Sequence, residues 1–382
     1  MMIYKLTKYL KNNLHGLKFI NYNNKSPQPG DKVIVAMSGG VDSSVSAYLL
    51  KRQGYLVEGI YMRNWDLVDD IGACTSDRDW SDVQKVCEQL EIPCNQINLT
   101  KEYWLNVFIK MIHDYENGIT PNPDIICNRE IKFGVFLDKC LNSSTSISQN
   151  ENSTTWIATG HYARLEYNNL GRIKLLRGVD TLKDQSYFLS TVSEGKLKKV
   201  IFPIGNLYKT NVKSIAKELN LITASKPESM GVCFIGEKKK FSDFLEQFIH
   251  RKNGKILTID GKVIGLFAYT IGQCVKINYL QERWFVLKIN VEDNTLIVVP
   301  GSTNSLLYSK KLVAKDWIWI WNDLPKEILQ IKCKIIEFDH NNNKHIIEFK
   351  ESVRAIAPGQ NVVIWYNNYW CLGSGVIEKS LI

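Results

Sequence analysis

The feature that most constrains the fold is an apolar strand pattern that runs directly into a glycine-rich turn and then a helix pattern. Residues 32–37 read KVIVAM, a β-branched run typical of a buried strand. Residues 38–43 read SGGVDS, and the pattern from Asp42 to Gln53 predicts a helix that stops at Gly54. A buried strand that turns at once into a helix is the repeating unit of α/β proteins with a parallel sheet.

Strand and helix patterns continue to alternate through the first half of the chain. This alternation predicts a parallel sheet with helices on both faces. The further elements are predicted strands at 55–62, 94–99 and 156–159 and predicted helices at 80–90 and 101–116.

After Lys255 the pattern changes to short strands separated by turns, which predicts a small β-barrel or sandwich at the C-terminus. The strands predicted there are 284–290, 295–299, 331–337, 345–349 and 361–365.

A length of 382 residues predicts two or three domains. The changes of pattern divide the chain into a leader at 1–30, an α/β domain at 31–205, a central domain at 206–285 and a C-terminal β-barrel domain at 286–382. The polar, low-complexity stretch at 142–155 is predicted to be a surface loop inserted before the fourth strand.

Residues 1–30 contain five lysines and no acidic residue, with apolar residues at helical spacing. Such a segment is similar to an organellar transit peptide, and we expect it to direct the protein to the mitochondrial matrix. The alternative is a disordered N-terminal tail. The chain contains no uncharged apolar stretch of about 18 residues, so we expect no membrane span.

Charge and cysteine usage exclude some classes of protein. The net charge is +9, of which the leader contributes +5, so the remainder is only mildly basic. That balance is compatible with a nucleic-acid partner without requiring one. The nine cysteines include no C-x-x-C pair, so we expect neither a zinc ribbon nor a disulfide framework, and most thiols should be buried in a reducing compartment.

The SGGVDS turn has the composition of a phosphate site. Its glycines permit close backbone approach, and the helix that follows presents N–H groups to an anion. It lacks both the G-K-[ST] of a Walker A loop and the G-x-G-x-x-G of a dinucleotide site. Asp42 would repel a phosphate unless a cation bridges them, which implies Mg²⁺. The alternative is a tight turn with a serine cap.

S-G-G-x-D-S after a buried strand resembles the loop of the N-type ATP pyrophosphatases, which adenylate a carbonyl oxygen and release pyrophosphate. Further motifs, in this order, resemble those of the tRNA-specific 2-thiouridylases from about residue 32 to the C-terminus. They are TPNPD at 120–124, CN at 127–128, IKF at 131–133, TGHYA at 159–163, KDQSYFL at 183–189, GVCFIG at 231–236, YTIGQ at 269–273 and RAIAPGQ at 354–360.

The resemblance implies an ATP-pyrophosphatase fold and the 2-thiolation of a wobble uridine in a subset of tRNAs, with ATP and Mg²⁺. It implies that a persulfide forms on Cys233 and that Cys127 is the partner thiol, through a transient disulfide or by release of hydrosulfide. Asp124 would be an acid, a base or an orienting group. The upstream sulfur donor would be a cysteine desulfurase or a sulfur-carrier protein.

The resemblance also assigns binding residues. Those that would contact ATP are Ala36, Met37, Ser38, Gly39, Gly40, Val41, Asp42, Ser43, Met62 and Gly160. Those that would contact tRNA are Asn122, Pro123, Asp124, His161, Lys183, Asp184, Gln185 and Gln360.

Three departures from the family pattern fall in the C-terminal half. Val263 stands where the family has His, Cys274 stands where it has Arg, and the basic-aromatic stretch of the last domain is missing from residues 333–340. We therefore expect a smaller contribution of this half to phosphate neutralisation. Two other functions remain open: an ATP pyrophosphatase acting on a small molecule, and a non-catalytic tRNA-binding protein.

Overall fold

The computed structural model describes most of the chain after residue 26. The described ranges are 27–65, 75–144, 154–227, 244–245, 247–249, 254–266, 274–275, 282–323, 333–339 and 343–381. Most of the predicted leader and of the loop at 142–155 lies outside these residues, as do the GVCFIG and TIGQ motifs. No helix within the described ranges is long and apolar enough to cross a membrane.

The described strands form three sheets. In chain order they are β1 Lys32–Met37, β2 Leu56–Arg63, β3 Cys94–Asn98, β4 Thr155–Thr159, β5 Ala163–Tyr167, β6 Ile173–Arg177, β7 Val200–Ile201, β8 Lys255–Thr258, β9 Val263–Leu266, β10 Cys274–Val275, β11 Trp284–Asn290, β12 Thr295–Pro300, β13 Tyr308–Trp319, β14 Cys333–Asp339, β15 Lys344–Arg354, β16 Asn361–Tyr366 and β17 Trp370–Leu381.

The described helices are concentrated in the first 225 residues. The α-helical ones are Val41–Arg52, Thr75–Gln89, Thr100–Tyr103, Ile109–Glu116, Pro123–Cys127, Leu137–Ser144, Glu194–Leu197 and Lys209–Glu218; π-helical turns occupy Trp104–Phe108 and Asn128–Phe136, and 3₁₀ turns occupy Ser186–Leu189, Ile222–Ser225 and Ser305–Leu307.

The first sheet is parallel throughout, in the order β3-β2-β1-β4-β7. β1 lies in the middle, and its side chains alternate between two cores. Val33 and Val35 pack in the core on one face, while Ile34 and Ala36 pack in the core on the other. The predicted parallel sheet with helices on both faces is therefore confirmed.

The chain leaves β1 toward β2 on one side, and β4 pairs with β1 on the other side. The carboxyl ends of β1 and β4 therefore flank the point where the strand order reverses. Open parallel sheets bind their ligands in the crevice at such a point. The SGGVDS turn follows β1, and Gly160 and His161 follow β4, so both motifs lie at this crevice.

The hairpin β5–β6 departs from the expected organisation. It lies inside the predicted α/β domain in sequence, yet β6 pairs with β17 and extends the C-terminal sheet, whose order is β14-β15-β13-β17-β6-β5. Leu176 of β6 packs in the core of that sheet, while Leu175 packs in the core that also contains Ile34 and Ile157 of the first sheet. The hairpin follows β4 directly, so it connects the crevice at the strand-order reversal to the C-terminal sheet.

The middle sheet has the order β10-β11-β12-β8-β9 and contains one parallel pair, β12 with β8. The strands β11 and β12, at residues 284–300, therefore belong to the same sheet as β8 and β9 and not to the C-terminal sheet. The predicted β-rich C-terminal half is confirmed, because β13 to β17 form an antiparallel sheet. The domain limits at 205 and 285 stay predictions.

Candidate active site

The glycine-rich turn folds around the carbonyl of Gly40. The hydroxyls of Ser43 and Ser44 donate to that carbonyl at 3.1 and 2.8 Å, and the Ser38 amide donates to the Ser43 hydroxyl at 3.2 Å. Gly40 begins the helix Val41–Arg52 without a side-chain cap. The first N–H groups of this helix therefore have no side-chain acceptor, which suits them to an anionic ligand.

Gly39 has a φ of +73°, which favours glycine. A Cβ at this position would lie 2.8 Å from the carbonyl oxygen of Asp79. Gly160, at the end of β4, approaches the turn from the other side: a Cβ there would lie 2.8 Å from the Ser43 nitrogen. Because neither glycine has a side chain, the backbone of Asp79 can pack against Gly39, and the end of β4 can pack against the backbone of Asp42 and Ser43.

The other predicted nucleotide contacts differ in exposure. Ala36, Met37 and Val41 are buried, and the first two pack in the cores on opposite faces of the sheet. Any contact of these three with a nucleotide would therefore be made by backbone groups. Met62, near the end of β2, is only partly buried and stays accessible at the edge of the crevice.

Asp42 is held by two residues that the sequence analysis did not identify. Lys209 Nζ lies 2.8 and 2.7 Å from the two carboxylate oxygens of Asp42, and the hydroxyl of Tyr162 donates to one of them at 2.8 Å. The Lys209 side chain is 10% exposed and that of Asp42 is 31% exposed, so the ammonium group is shielded from water and the carboxylate still faces the crevice in part. Nothing in the sequence distinguishes Lys209 from its neighbours in a lysine-rich stretch.

This ion pair changes the charge argument for a metal ion. The sequence argument required a cation beside Asp42 to offset its repulsion of phosphate, and Lys209 supplies one. A bound metal is therefore not needed on that ground. No group of three or more His, Cys, Asp or Glu residues arranged for a metal occurs in the described part of the chain.

The TPNPD motif forms a loop that leads into the helix Pro123–Cys127. The side chain of Asn122 accepts from the amide of Ile125 at 3.3 Å and caps this helix, and Pro123 occupies its first turn. Asp124 and Cys127 are three residues apart on this helix, so their side chains lie on one side of it.

Asp124 is largely buried, and this burial raises the pKa of its carboxyl group, an effect that the nearby Lys132 partly offsets. A raised pKa makes a carboxylate a stronger proton acceptor than an ordinary aspartate. Cys127 is 4% exposed and packs in the core that contains Ile131 and Phe133. Cys233 lies outside the described residues.

Asn128, directly after Cys127, is a second residue that the motif did not single out for a role. It is 3% exposed, and its amide nitrogen donates to the carbonyl of Phe188 at 3.1 Å. Its amide oxygen is buried and has no hydrogen-bond partner among the described residues. An unpaired buried acceptor is costly and therefore unusual in a folded protein.

His161 is buried between Phe133 and Phe202, each with its ring centre 5.9 Å away. Its Nδ1 lies 2.7 Å from the hydroxyl of Thr159. Burial, together with the positive charge of Lys132, lowers the pKa of His161 well below its ordinary value, so the ring is neutral. A contact of this residue with RNA would be a neutral hydrogen bond, not an ion pair.

The KDQ turn is tied into the fold by its own polar groups. One carboxylate oxygen of Asp184 accepts from the amides of Gly178 and Ser186 and from the Ser186 hydroxyl. The side-chain oxygen of Gln185 accepts from the Tyr162 amide at 3.0 Å, and Lys183 is partly exposed. Gln185 therefore binds the backbone of Tyr162, whose hydroxyl donates to Asp42.

Gln360 lies in the turn before β16 and faces the TPNPD loop. Its side-chain nitrogen donates to the carbonyls of Thr120 and Pro121 at 2.9 and 3.3 Å. The structure therefore brings together two motifs separated by 240 residues in the chain. All three predicted clusters, the SGGVDS turn, the TPNPD loop and the TGHYA segment, lie on the first sheet or its connections.

Comparisons with known proteins agree along residues 31–377. Residues 31–237 match the family model described as a tRNA methyl transferase HUP domain. Residues 242–300 match a tRNA methyl transferase PRC-barrel domain, and residues 309–377 match an aminomethyltransferase β-barrel domain. The expected order of an α/β domain, a small central domain and a C-terminal β-barrel is thereby confirmed.

A protein of Oceanobacillus iheyensis called tRNA-specific 2-thiouridylase MnmA is 44% identical over 91% of this chain and 95% of its own length. The chain belongs to the tRNA-specific 2-thiouridylase family. Proteins of the same name from Alkaliphilus oremlandii and Staphylococcus aureus are 41% and 43% identical, over 93% and 91% of this chain and 100% and 95% of their own. These 2-thiouridylases are all bacterial.

Proposed function

We propose that this protein is a tRNA-uridine 2-sulfurtransferase, which uses ATP to replace the 2-oxygen of a wobble uridine with sulfur. The observation that carries the proposal is the similarity to tRNA-specific 2-thiouridylases over 91% of the chain. The chain also keeps both cysteines of the motifs that resemble this family, Cys127 and Cys233. The crevice beside the SGGVDS turn suits the nucleotide that this reaction requires.

In the first step the uridine 2-oxygen attacks the α-phosphorus of ATP, and pyrophosphate leaves. The N–H groups at the start of the helix Val41–Arg52 would bind the phosphates, and Met62 and Gly160 would line the site of the adenine ring. Adenylation makes the 2-oxygen part of a good leaving group, AMP. Asp124, with its raised pKa, is available for proton transfer at the base.

In the second step a persulfide on Cys233 supplies sulfur to carbon 2, and AMP departs with the former carbonyl oxygen. Two routes keep the electrons balanced. In one, the persulfide attacks directly and Cys127 then attacks Cys233, which releases the thiolated base and leaves a disulfide that a thiol reductant must reduce. In the other, Cys127 first attacks the Cys233 sulfur of the persulfide, which forms the same disulfide and releases hydrosulfide, and the hydrosulfide attacks carbon 2.

Three further parts of the proposal concern partners and location. ATP would enter as its Mg²⁺ complex, which neutralises phosphate charge beyond what Lys209 supplies. The persulfide would come from a cysteine desulfurase or a sulfur-carrier protein. Residues 1–30 would direct the protein to the mitochondrial matrix. A fusion of residues 1–30 to a fluorescent protein tests this location, and a diffuse cytosolic signal would contradict it.

The proposal is tested by tRNA-dependent pyrophosphate release. We expect release with ATP and unmodified tRNA, and loss of release in Asp42→Ala. Cys233→Ala should still release pyrophosphate once per tRNA, because the cysteine acts after adenylation. Release that requires a small molecule and ignores tRNA would favour a synthetase. Binding of tRNA with no release under any condition would favour a non-catalytic binding protein.

A further inference from the structure

We propose that the turn Pro358–Gln360 is a positioning element that holds the TPNPD loop in place for the target base, and that Gln360 is a positioning residue. We call this turn the C-terminal clamp. The inference rests on the proposed function, since it concerns how the uridine is presented to the reaction. It assigns a part in the reaction to the β-rich domain that contains neither the SGGVDS turn nor the motif cysteines.

The first observation is a set of hydrogen bonds to the backbone of the TPNPD loop. The Thr120 amide donates to the carbonyl of Pro358 at 2.9 Å. The side-chain nitrogen of Gln360 donates to the carbonyls of Thr120 and Pro121. Because both partners are carbonyl oxygens, the amide group of Gln360 must present its nitrogen to them. The clamp thus pairs three backbone groups of two consecutive residues.

The second observation is the close approach at Gly359. Its φ is +90°, and a Cβ at this position would lie 2.3 Å from a methyl carbon of Ile119 and 2.8 Å from the Thr120 oxygen. No side chain fits between the clamp and the loop. The two backbones therefore touch directly, and a displacement of one must displace the other.

The third observation links the clamp to the capping residue of the helix that carries Asp124 and Cys127. The Tyr187 hydroxyl donates to the carbonyl of Asn361, next to the clamp, at 3.2 Å. Burial raises the pKa of this phenol, which also lies within reach of the Asn122 side chain. Asn122 in turn caps that helix. The clamp therefore holds the loop at its backbone and, through Tyr187, at its cap.

These contacts favour positioning over a direct contact of Gln360 with tRNA. The amides of residues 117–119 bond back to the preceding helix, whereas the Thr120 amide and the carbonyls of Thr120 and Pro121 bond to the clamp. Reaction rates depend steeply on the placement of the reacting base, and a shift of about 1 Å can lower a rate about 100-fold. Both donors of Gln360 are already used by the loop, which leaves RNA at most its side-chain oxygen.

The test measures kcat for 2-thiouridine formation, the Kd for tRNA, and hydrogen exchange of residues 117–124 without substrate. The variants are Gln360→Ala, which removes the two donors, and Gly359→Ala, which pushes the loop without changing any side chain that RNA could touch. Gly261→Ala is the matched control, because Gly261 has a φ of +87° and no neighbouring atom within 4 Å of an added Cβ. Gln360→Asn, with a shorter side chain, should be intermediate.

We expect both clamp variants to lower kcat at least tenfold, to leave the Kd for tRNA within about twofold, and to speed exchange at 117–124. Gly261→Ala should match the wild type in all three. A tenfold weaker Kd for tRNA with unchanged kcat in Gln360→Ala would overturn the proposal in favour of direct RNA contact. Unchanged kcat and exchange in both clamp variants would also overturn it.

Two features keep the test decisive. If Gly359→Ala unfolds, as thermal unfolding would reveal, Gln360→Ala and Gln360→Asn still decide the outcome. If the wild type forms no 2-thiouridine, the proposed function fails, whereas hydrogen exchange still reports whether the clamp holds the loop. The two failures are therefore distinguishable.

Discussion

At the scale of single residues, the motifs identified positions but not the partners that set their chemistry. Asp42 and Asp124 were both selected from the sequence. The structure shows that Lys209 neutralises the first and that burial raises the pKa of the second. Lys209 is 167 residues from Asp42, and no local pattern encodes such a pair. The sequence also predicts His161 as an RNA contact. It does not show whether the imidazole ring is charged, because that depends on the buried surroundings of the ring, which lower its pKa.

The Asp42–Lys209 pair gives the first prediction. Lys209→Met should weaken ATP binding at least tenfold, because it leaves an uncompensated carboxylate beside the phosphates. Adding Asp42→Asn to Lys209→Met should recover part of the loss, measured as the Kd for ATP. Lys217→Met, on the exposed side of the same helix, is the control. Equal effects of the two lysine substitutions would show that Lys209 acts only through net charge.

The second prediction concerns pH and Asp124. Because burial raises the pKa of this carboxyl group, ionising it costs more in the folded than in the unfolded chain. Stability is therefore lost as the pH rises through the folded pKa, and the cost is fully present above it. Asp124→Asn should raise the Tm at pH 8, with a smaller gain near pH 4, while it abolishes thiolation.

Thermal unfolding of the wild type and Asp124→Asn across this pH range provides the measurement. Asp293→Asn, at an exposed position, controls for the loss of one negative charge. A lower Tm of Asp124→Asn at pH 8 would mean that the ionised carboxylate is stabilised by the fold.

At the scale of elements, prediction succeeded where periodicity and turn chemistry agree. The strands β1, β4 and β11 match their predicted limits to within one residue. The hairpin β5–β6 and the long strands β13 and β17 were not predicted. Their side chains do not alternate cleanly, because bulges interrupt the register of β13 with β17. The helix predicted at 101–116 is present, but a π-helical turn at Trp104–Phe108 interrupts it.

The contact between the end of β4 and the SGGVDS turn gives the third prediction. Gly160→Ala should abolish tRNA-dependent pyrophosphate release, because its Cβ would meet the Ser43 nitrogen at 2.8 Å and the Asp42 carbonyl carbon at 2.9 Å. Gly195→Ala is the matched control, since no atom lies within 4 Å of its added Cβ. Normal release by Gly160→Ala would show that the turn shifts without loss of function.

At the scale of the whole molecule, the three family matches follow one another along the chain, but the sheets do not divide in the same way. β5 and β6 lie within the segment 31–237, which matches the HUP domain, and yet they belong to the C-terminal sheet. Sequence patterns predicted the order of the domains correctly. They could not predict that β5 and β6 join the C-terminal sheet, because the pairing between β6 and β17 depends on residues almost 200 positions apart.

The pairing of β6 with the C-terminal sheet gives the fourth prediction. A chain truncated after residue 308 should aggregate or unfold without a cooperative transition, because it exposes Leu176 and the unpaired edge of β6. Circular dichroism and size-exclusion chromatography of the truncated and full-length proteins measure this. A monomeric fragment with a sharp transition and full ATP binding would show that the first domain is independent of the C-terminal sheet.

The central claim is sulfur transfer to a tRNA uridine, and nucleoside mass spectrometry tests it most directly. Unmodified tRNA with a wobble uridine is incubated with ATP, Mg²⁺, a persulfide source and either the wild type, Cys233→Ala or the control Cys94→Ala. The account predicts 2-thiouridine with the wild type and Cys94→Ala, and none with Cys233→Ala. Equal 2-thiouridine with and without Cys233, or none with the wild type, would contradict it.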